Sequence, residues 1–134
     1  MAHWLLKTEP STYSFADLER DKRTTWDGVS NNLALKHIRA MKKGDLAFIY
    51  HSGEEKAIVG VAAIVSDPYP DPKQKDEKLA VVDVAAKERL PHAVPLARVK
   101  ADKRFAQFAL VRMPRLSVMP VPADLWTALL TLSK

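Results

Sequence analysis

The sequence predicts an α+β fold, a small mixed β-barrel flanked by short helices. From Asp45 to Ser66 the apolar period changes from helical to alternating, and Ala57 to Val65 is apolar on both faces and rich in Val and Ile. Helical periods stand on either side of that stretch. A strand apolar on both faces needs cover on both, which favours a closed barrel with helices outside.

His3 to Lys7 reads as a first strand, ended by Pro10, whose ring fixes its own backbone and pushes Glu9 toward an extended conformation. Ser14 and Asp17 have capping-box spacing, so a short helix follows through Arg20. Ser30 is the expected cap of a second helix running to about Met41, with Leu33, Ala34, Ile38 and Met41 inward and Gly44 as the stop. Leu46, Phe48, Tyr50 and Ser52 then share one strand face, and Gly53 lies in the connector to Ala57–Val65, which predicts a hairpin. Ser66 to Lys78 holds three prolines and seven formal charges without a period and reads as an exposed loop. Ala80 to Ala86 is a third strand, which Pro91 and Pro95 are expected to break. Leu96 to Phe108 forms short helical turns, Arg115 to Val121 a short strand limited by Pro120, and Ala123 to Leu132 a helix packed through Leu125, Trp126, Leu129 and Leu130.

A chain of 134 residues with no internal repeat or linker is expected to form one domain, residues 1–134. Lys plus Arg number 21 against 16 Asp plus Glu, a net charge of +5 that favours polyanionic partners. The absence of Cys removes thiolate nucleophiles and Cys-based zinc sites and fits a reducing compartment. His3, His37, His51 and His92 are scattered without metal-ligand spacing, so no metal is expected. The four glycines are isolated, so no phosphate-cradling loop and no nucleotide cofactor is implied. No apolar run approaches the roughly 20 residues of a membrane span or forms a signal peptide, which makes the cytoplasm the expected location. His51 and Ser52 are neighbours on a predicted strand and point to opposite faces, so they cannot pair as base and nucleophile. No catalytic constellation is expected beyond a Lys7/Glu9 pair.

What remains is a set of polar and aromatic residues at element ends, where binding groups gather. Lys7 and Glu9 follow the first strand, Trp26 to Asn32 precede the second helix, and His51-Ser52 end a strand. An indole stacks on any nucleobase and an Asn amide can pair with a base edge, so Trp26, Asn31 and Asn32 read as base-binding candidates. The alternatives stay open: Trp26 as core packing, and the Asn pair as helix cap and first turn. Lys36, Arg39 and Lys43 form a basic stripe, either a solvated helix face or a phosphate contact.

At these residues the chain resembles the EVE domain family of the PUA-like superfamily. WLLKTEP, WDGVSNNLA, MKKGDLAFIYHS with IVGVA, YPDP, PLARVK and RLSVMPV carry the resemblance in one collinear order across essentially the whole chain. The resemblance implies a PUA-like mixed barrel, related in shape to YTH modified-RNA readers, with a pocket for a flipped or unpaired base. That base would be a modified cytosine in DNA or a modified base in RNA. Carried over by position, Trp26 would stack, Asn31 and the main chain around Val29 would read an edge, and His51 and Ser52 would line the floor. Lys7, Glu9, Leu116, Ser117 and Val118 would complete the wall. Lys36, Arg39, Arg98, Lys100, Arg112 and Arg115 are the candidate backbone contacts. Ser30 and Leu35 stand where the family commonly has Arg, and Leu79-Ala80-Val81 lacks a usual aromatic. A second reading is an enzyme like the ASCH relatives, acting on modified nucleosides through Lys7 and Glu9. A third is a protein-interaction module using the 66–78 loop. Whether an effector protein accompanies the domain is left open.

Overall fold

The computed structural model describes Met1–Lys134. Its strands are β1 His3–Thr8, β2 Arg23–Trp26, β3 Leu46–His51, β4 Ala57–Ile64, β5 Tyr69–Pro70, β6 Ala80–Pro95 and β7 Val118–Pro120. Its helices are α1 Phe15–Asp21, α2 Asn32–Ala40, α3 Leu96–Lys100, α4 Ala109–Arg112 and α5 Ala123–Leu132, with a 3-10 turn at Lys103–Phe105.

One mixed sheet runs in the order β2-β6-β4-β3-β1-β7, and β5 pairs with the start of β6. The β1–β3 pair is parallel and the other pairs are antiparallel. The end strands β2 and β7 do not bond to each other, so the sheet curls into a half-barrel rather than the closed ring that β4 suggested. Helix α2 packs against both β6 and β7 and fills the side that the hydrogen bonds leave open.

Helices on both faces explain why β3 and β4 are apolar throughout. Trp4, Leu6 and Thr8 share a face with their partners Ala47, Ile49 and His51. On that face His37 of α2 lies 6.2 Å from the Trp4 ring, and the first amide of α1 bonds His51. On the other face Trp126 of α5 stacks on Phe48 at 3.8 Å and meets His3 in a tilted contact at 4.5 Å. Asp45, before β3, is 5 % exposed and accepts from Trp4 Nε1 at 3.0 Å and from the main-chain N–H groups of Ala2 and Lys42. Burial works to raise its pKa, but these hydrogen bonds outweigh it and hold the carboxyl below its ordinary value.

The Ser14 capping box forms as its spacing predicts. The cap of α2 is Asn31 rather than Ser30: Asn31 Oδ1 accepts from the Ala34 amide at 3.0 Å. Leu35 is buried beside Ala34 and Ile38, so this position contributes packing. Pro91 does not end β6. It lies in a bulge of β6 between Arg89, which faces Gly60, and Val94, which faces Ile58, and there no ladder donor is needed. Within the 66–78 stretch Tyr69–Pro70 pairs with Ala80–Val81, and Asp71 is buried with its amide bonded to the Leu79 carbonyl. The pairing gives the proline-rich segment a fixed course along β6.

Candidate functional site

Where β1 ends, the chain turns through Glu9, whose carbonyl accepts from the Thr12 and Tyr13 amides, and so brings Thr12 and Tyr13 alongside β2. Gly28, at φ 77°, supplies the left-handed backbone that turns the chain after Trp26 and Asp27. Between these segments is a cleft of about 350 Å³, lined by Thr8, Thr12, Tyr13, Thr24, Thr25, Trp26, Asp27 and Gly28. It lies where β1 and the edge strand β2 approach across the open side of the half-barrel.

Trp26 pairs with Val82 of β6, belongs to the core and keeps 8 % of its surface exposed. The Tyr13 ring meets it edge-on, with centroids 6.5 Å apart and planes at 84°. No protein group accepts from its indole N–H and no unpartnered polar atom is buried, so this donor opens to solvent. Carboxylates stand behind the wall. Tyr13 Oη donates to Asp21 at 2.9 Å, and burial first, then this bond, raises the phenol pKa. Thr25 Oγ1 and Tyr69 Oη both donate to Asp83 Oδ1, at 3.0 and 2.6 Å. The Tyr69 bond foremost, helped by Thr25 and by Arg23 at 3.5 Å, holds Asp83 below its ordinary pKa.

Of the expected base-binding residues, only Trp26 lines this cleft. Val29 lines an adjoining depression of about 260 Å³ with Gly28 and Ser30. Asn31 lines a groove of about 370 Å³ with Leu33 and the segment Arg112–Leu116. The Asn31 carbonyl oxygen is committed to the helix cap, which leaves its amide hydrogens for other partners, and Asn32 is exposed in the first turn of α2. His51 does not form a pocket floor, because both ring nitrogens are used internally: Nε2 accepts from the Phe15 amide at 3.0 Å and Nδ1 meets Glu55 at 2.7 Å. Ser52 Oγ donates to the Thr8 carbonyl.

Lys7 lies on the opposite strand face from Thr8, its Nζ donating to the Pro114 carbonyl at 2.9 Å and standing 5.5 Å from the Tyr50 ring centroid. Burial lowers its pKa. Glu9 accepts from Ser11, so Lys7 and Glu9 have separate partners and form no pair. Leu116 and Val118 are core residues, and the Ser117 carbonyl accepts from the Lys7 amide.

Lys36, Arg39, Arg98, Lys100, Arg112 and Arg115 are all exposed, and none is in an ion pair. Arg39 donates to the Lys78 carbonyl. Arg98 donates to the Leu132 carbonyl at the end of α5, a position where a cation complements the helix dipole. Arg112 and Arg115 line the groove that also holds Asn31. Thr8, Thr12, Tyr13, Thr24 and Thr25 line the cleft without having been among the base-binding candidates, and Asp27 was included only within the run from Trp26 to Asn32. Their joint signal, two short threonine-bearing segments ending at a turn, becomes visible only once the end of β1 and the edge strand β2 face each other across the cleft.

The EVE domain model matches residues 2–132. The chain is 36% identical to thymocyte nuclear protein 1 of Gallus gallus over 86% of its own length and 53% of that protein, so it spans about half of that relative. It superposes on the NMR structure of a Rhodopseudomonas palustris protein with a TM-score of 0.94 and 42% identity, covering 99% of this chain and 93% of that one. The human THYN1 protein, in complex with 5-methylcytosine-containing DNA, matches with a TM-score of 0.92 and 30% identity, over 100% of this chain and 98% of that one.

Proposed function

The chain belongs to the EVE domain family, and from that premise we propose that it is a DNA-binding reader that takes one modified cytosine into the cleft at Trp26. The observation that carries this reading is the whole-chain likeness to a protein in complex with 5-methylcytosine-containing DNA. The cleft supports it: its volume of about 350 Å³ falls in the range of small-molecule sites, and an indole forms part of its wall. Stacking on an aromatic side chain contributes about 1–3 kcal/mol per base, enough to offset the few kcal/mol that extruding a base costs only when other contacts help. Asn31, Arg112 and Arg115, in the groove on the far side of the 27–31 turn, are suited to hold the flanking backbone. No catalytic step belongs to this reading.

The test is equilibrium binding to two duplexes that differ by one 5-methyl group on cytosine. The reading expects the modified duplex to bind tighter, and Trp26→Phe, which keeps a core ring but reduces the stacking surface and removes the indole N–H, to weaken binding of both duplexes while the melting temperature stays near wild type. Equal affinity for both duplexes would refute it.

A further inference from the structure

We infer that the depression beside the Trp26 cleft reads a second, unpaired base, a guanine next to the modified cytosine, through the carboxylate of Asp71. The inference deepens the base-reader assignment and rests on it. The depression holds about 260 Å³ and shares Gly28 with the cleft, so a strand that lays one base against Trp26 brings a neighbour to it. The 71–73 turn ties the two together: the Lys73 amide donates to Asp71 Oδ1 at 2.9 Å, and the Lys73 ammonium lies 3.9 Å from the Asp27 carboxylate of the cleft.

Asp71 is the buried charge of this depression, with 7 % of its surface exposed, and it is in no ion pair. Oδ1 meets the Lys73 amide, and Oδ2 has no partner in the protein. No polar side-chain atom is fully buried without one, so Oδ2 reaches the surface where Asp71 lines the depression. An enclosed carboxylate with an unmet oxygen and no cation beside it favours a guest that brings hydrogens to it. The other polar groups there do not choose. Gly28, Val29 and Ser30 present both N–H and C=O groups without protein partners, and the Ser30 hydroxyl and Gln74 amide can each donate or accept. The main-chain N–H and C=O of Asp71 are spent on Leu79 and Gln74, and Leu79, Ala80 and Val81 supply an apolar wall.

Among the DNA bases guanine alone carries two neighbouring donors on its pairing edge, N1–H and the 2-amino group, spaced to meet the two oxygens of a carboxylate, and Oδ1 keeps a second lone pair for this. Adenine and cytosine set a ring-nitrogen lone pair beside their amino group, and thymine flanks its single N–H with carbonyls. Each of these turns a lone pair toward the carboxylate. The guanine edge is free only when the guanine is unpaired, so this reading applies to a single or locally opened strand.

The deciding experiment measures the affinity of the full chain for single-stranded oligonucleotides with 5-methylcytosine at one position and guanine, inosine, adenine or thymine beside it. The varied base is on the 5′ side in one series and on the 3′ side in another, and a control strand carries cytosine in place of 5-methylcytosine. In one series guanine is expected to bind about ten-fold tighter than adenine or thymine, with inosine, which lacks the 2-amino group, in between. Asp71→Asn keeps an oxygen for the Lys73 amide and puts an NH2 in place of the free one. Guanine is expected to lose its advantage in that variant, while affinity for the adenine strand and the melting temperature stay near wild type. The inosine comparison uses the unaltered chain and decides the matter even where Asp71→Asn fails to fold. Inosine bound as tightly as guanine overturns the inference, as does the lack of a guanine preference in both series or a full preference in folded Asp71→Asn. If 5-methylcytosine still exceeds cytosine in that case, the reader assignment stands and only the guanine reading falls. If all strands bind alike, both fall.

Discussion

His51 Nε2 accepts a hydrogen bond from the main-chain N–H of Phe15 at 3.0 Å, joining the end of β3 to the first turn of α1. An accepting Nε2 puts the ring proton on Nδ1, which donates to Glu55 at 2.7 Å. The bond holds α1, and with it the Tyr13 turn that walls the cleft.

His51→Phe removes the acceptor and leaves a buried amide unpaired, so stability is expected to fall by about 1–3 kcal/mol in urea denaturation, with His51→Gln less affected because its amide oxygen can accept. A neutral His51→Phe would show that the bond contributes nothing.

Asp45 predicts acid sensitivity. Its folded pKa is depressed, so the stability it contributes is present above the unfolded carboxyl value and is lost as pH falls below about 4 and through the folded value. Asp45→Asn is expected to lower stability by roughly 1–3 kcal/mol at pH 7, since all three partners are donors and either orientation turns an NH2 toward at least one of them, and to flatten the profile below pH 5. Chemical denaturation at a series of pH values checks both, and an unchanged acid slope in the variant contradicts the assignment.

Gly60 is the point where the far end of the Phe15 ring meets β4, and a Cβ built there would overlap that ring. Gly60→Ala is therefore expected to destabilise by about 1–3 kcal/mol despite adding apolar surface, and Phe15→Leu in the same chain should recover part of the loss. Additive losses in the double variant would argue against a direct clash.

DNA affinity should fall with salt, and removing cations that meet phosphate should reduce that dependence. Arg112→Gln with Arg115→Gln is expected to lower the slope of log affinity against log salt by about 2, whereas Arg98→Gln, whose guanidinium is held at the end of α5, should leave it unchanged. Fluorescence anisotropy at several salt concentrations reads the difference, and a slope altered by Arg98→Gln alone would reverse the ordering.

Elements whose signal is local were legible in the sequence. The bounds of α5, the Ser14 cap and the β3–β4 hairpin all follow from short-range periodicity and chemistry. Pro91 misled because a bulge, which depends on the partner strand, releases it from the ladder. Asn31 competed with Ser30 for the cap, and two adjacent capping residues cannot be ranked by type alone. At the site, Trp26 stood out as an aromatic beside a turn. The cleft residues Thr8, Tyr13 and Thr25 carried no motif, because the 8–13 and 24–28 segments meet only in the fold. His51 drew notice as a polar residue at a strand end, but its partners, an amide of α1 and Glu55, are fixed by tertiary packing.

The most direct measurement of the central claim is a two-dimensional NMR titration of the nitrogen-15-labelled chain with a short 5-methylcytosine oligonucleotide. The base-reader account predicts that the largest changes fall on the Trp26 indole N–H and on the amides of Tyr13, Thr24, Thr25, Asp27 and Gly28, with weaker changes at Asn31 and Arg115. Saturable binding that moves other residues while the Trp26 indole and the Thr24–Gly28 amides stay in place would contradict it.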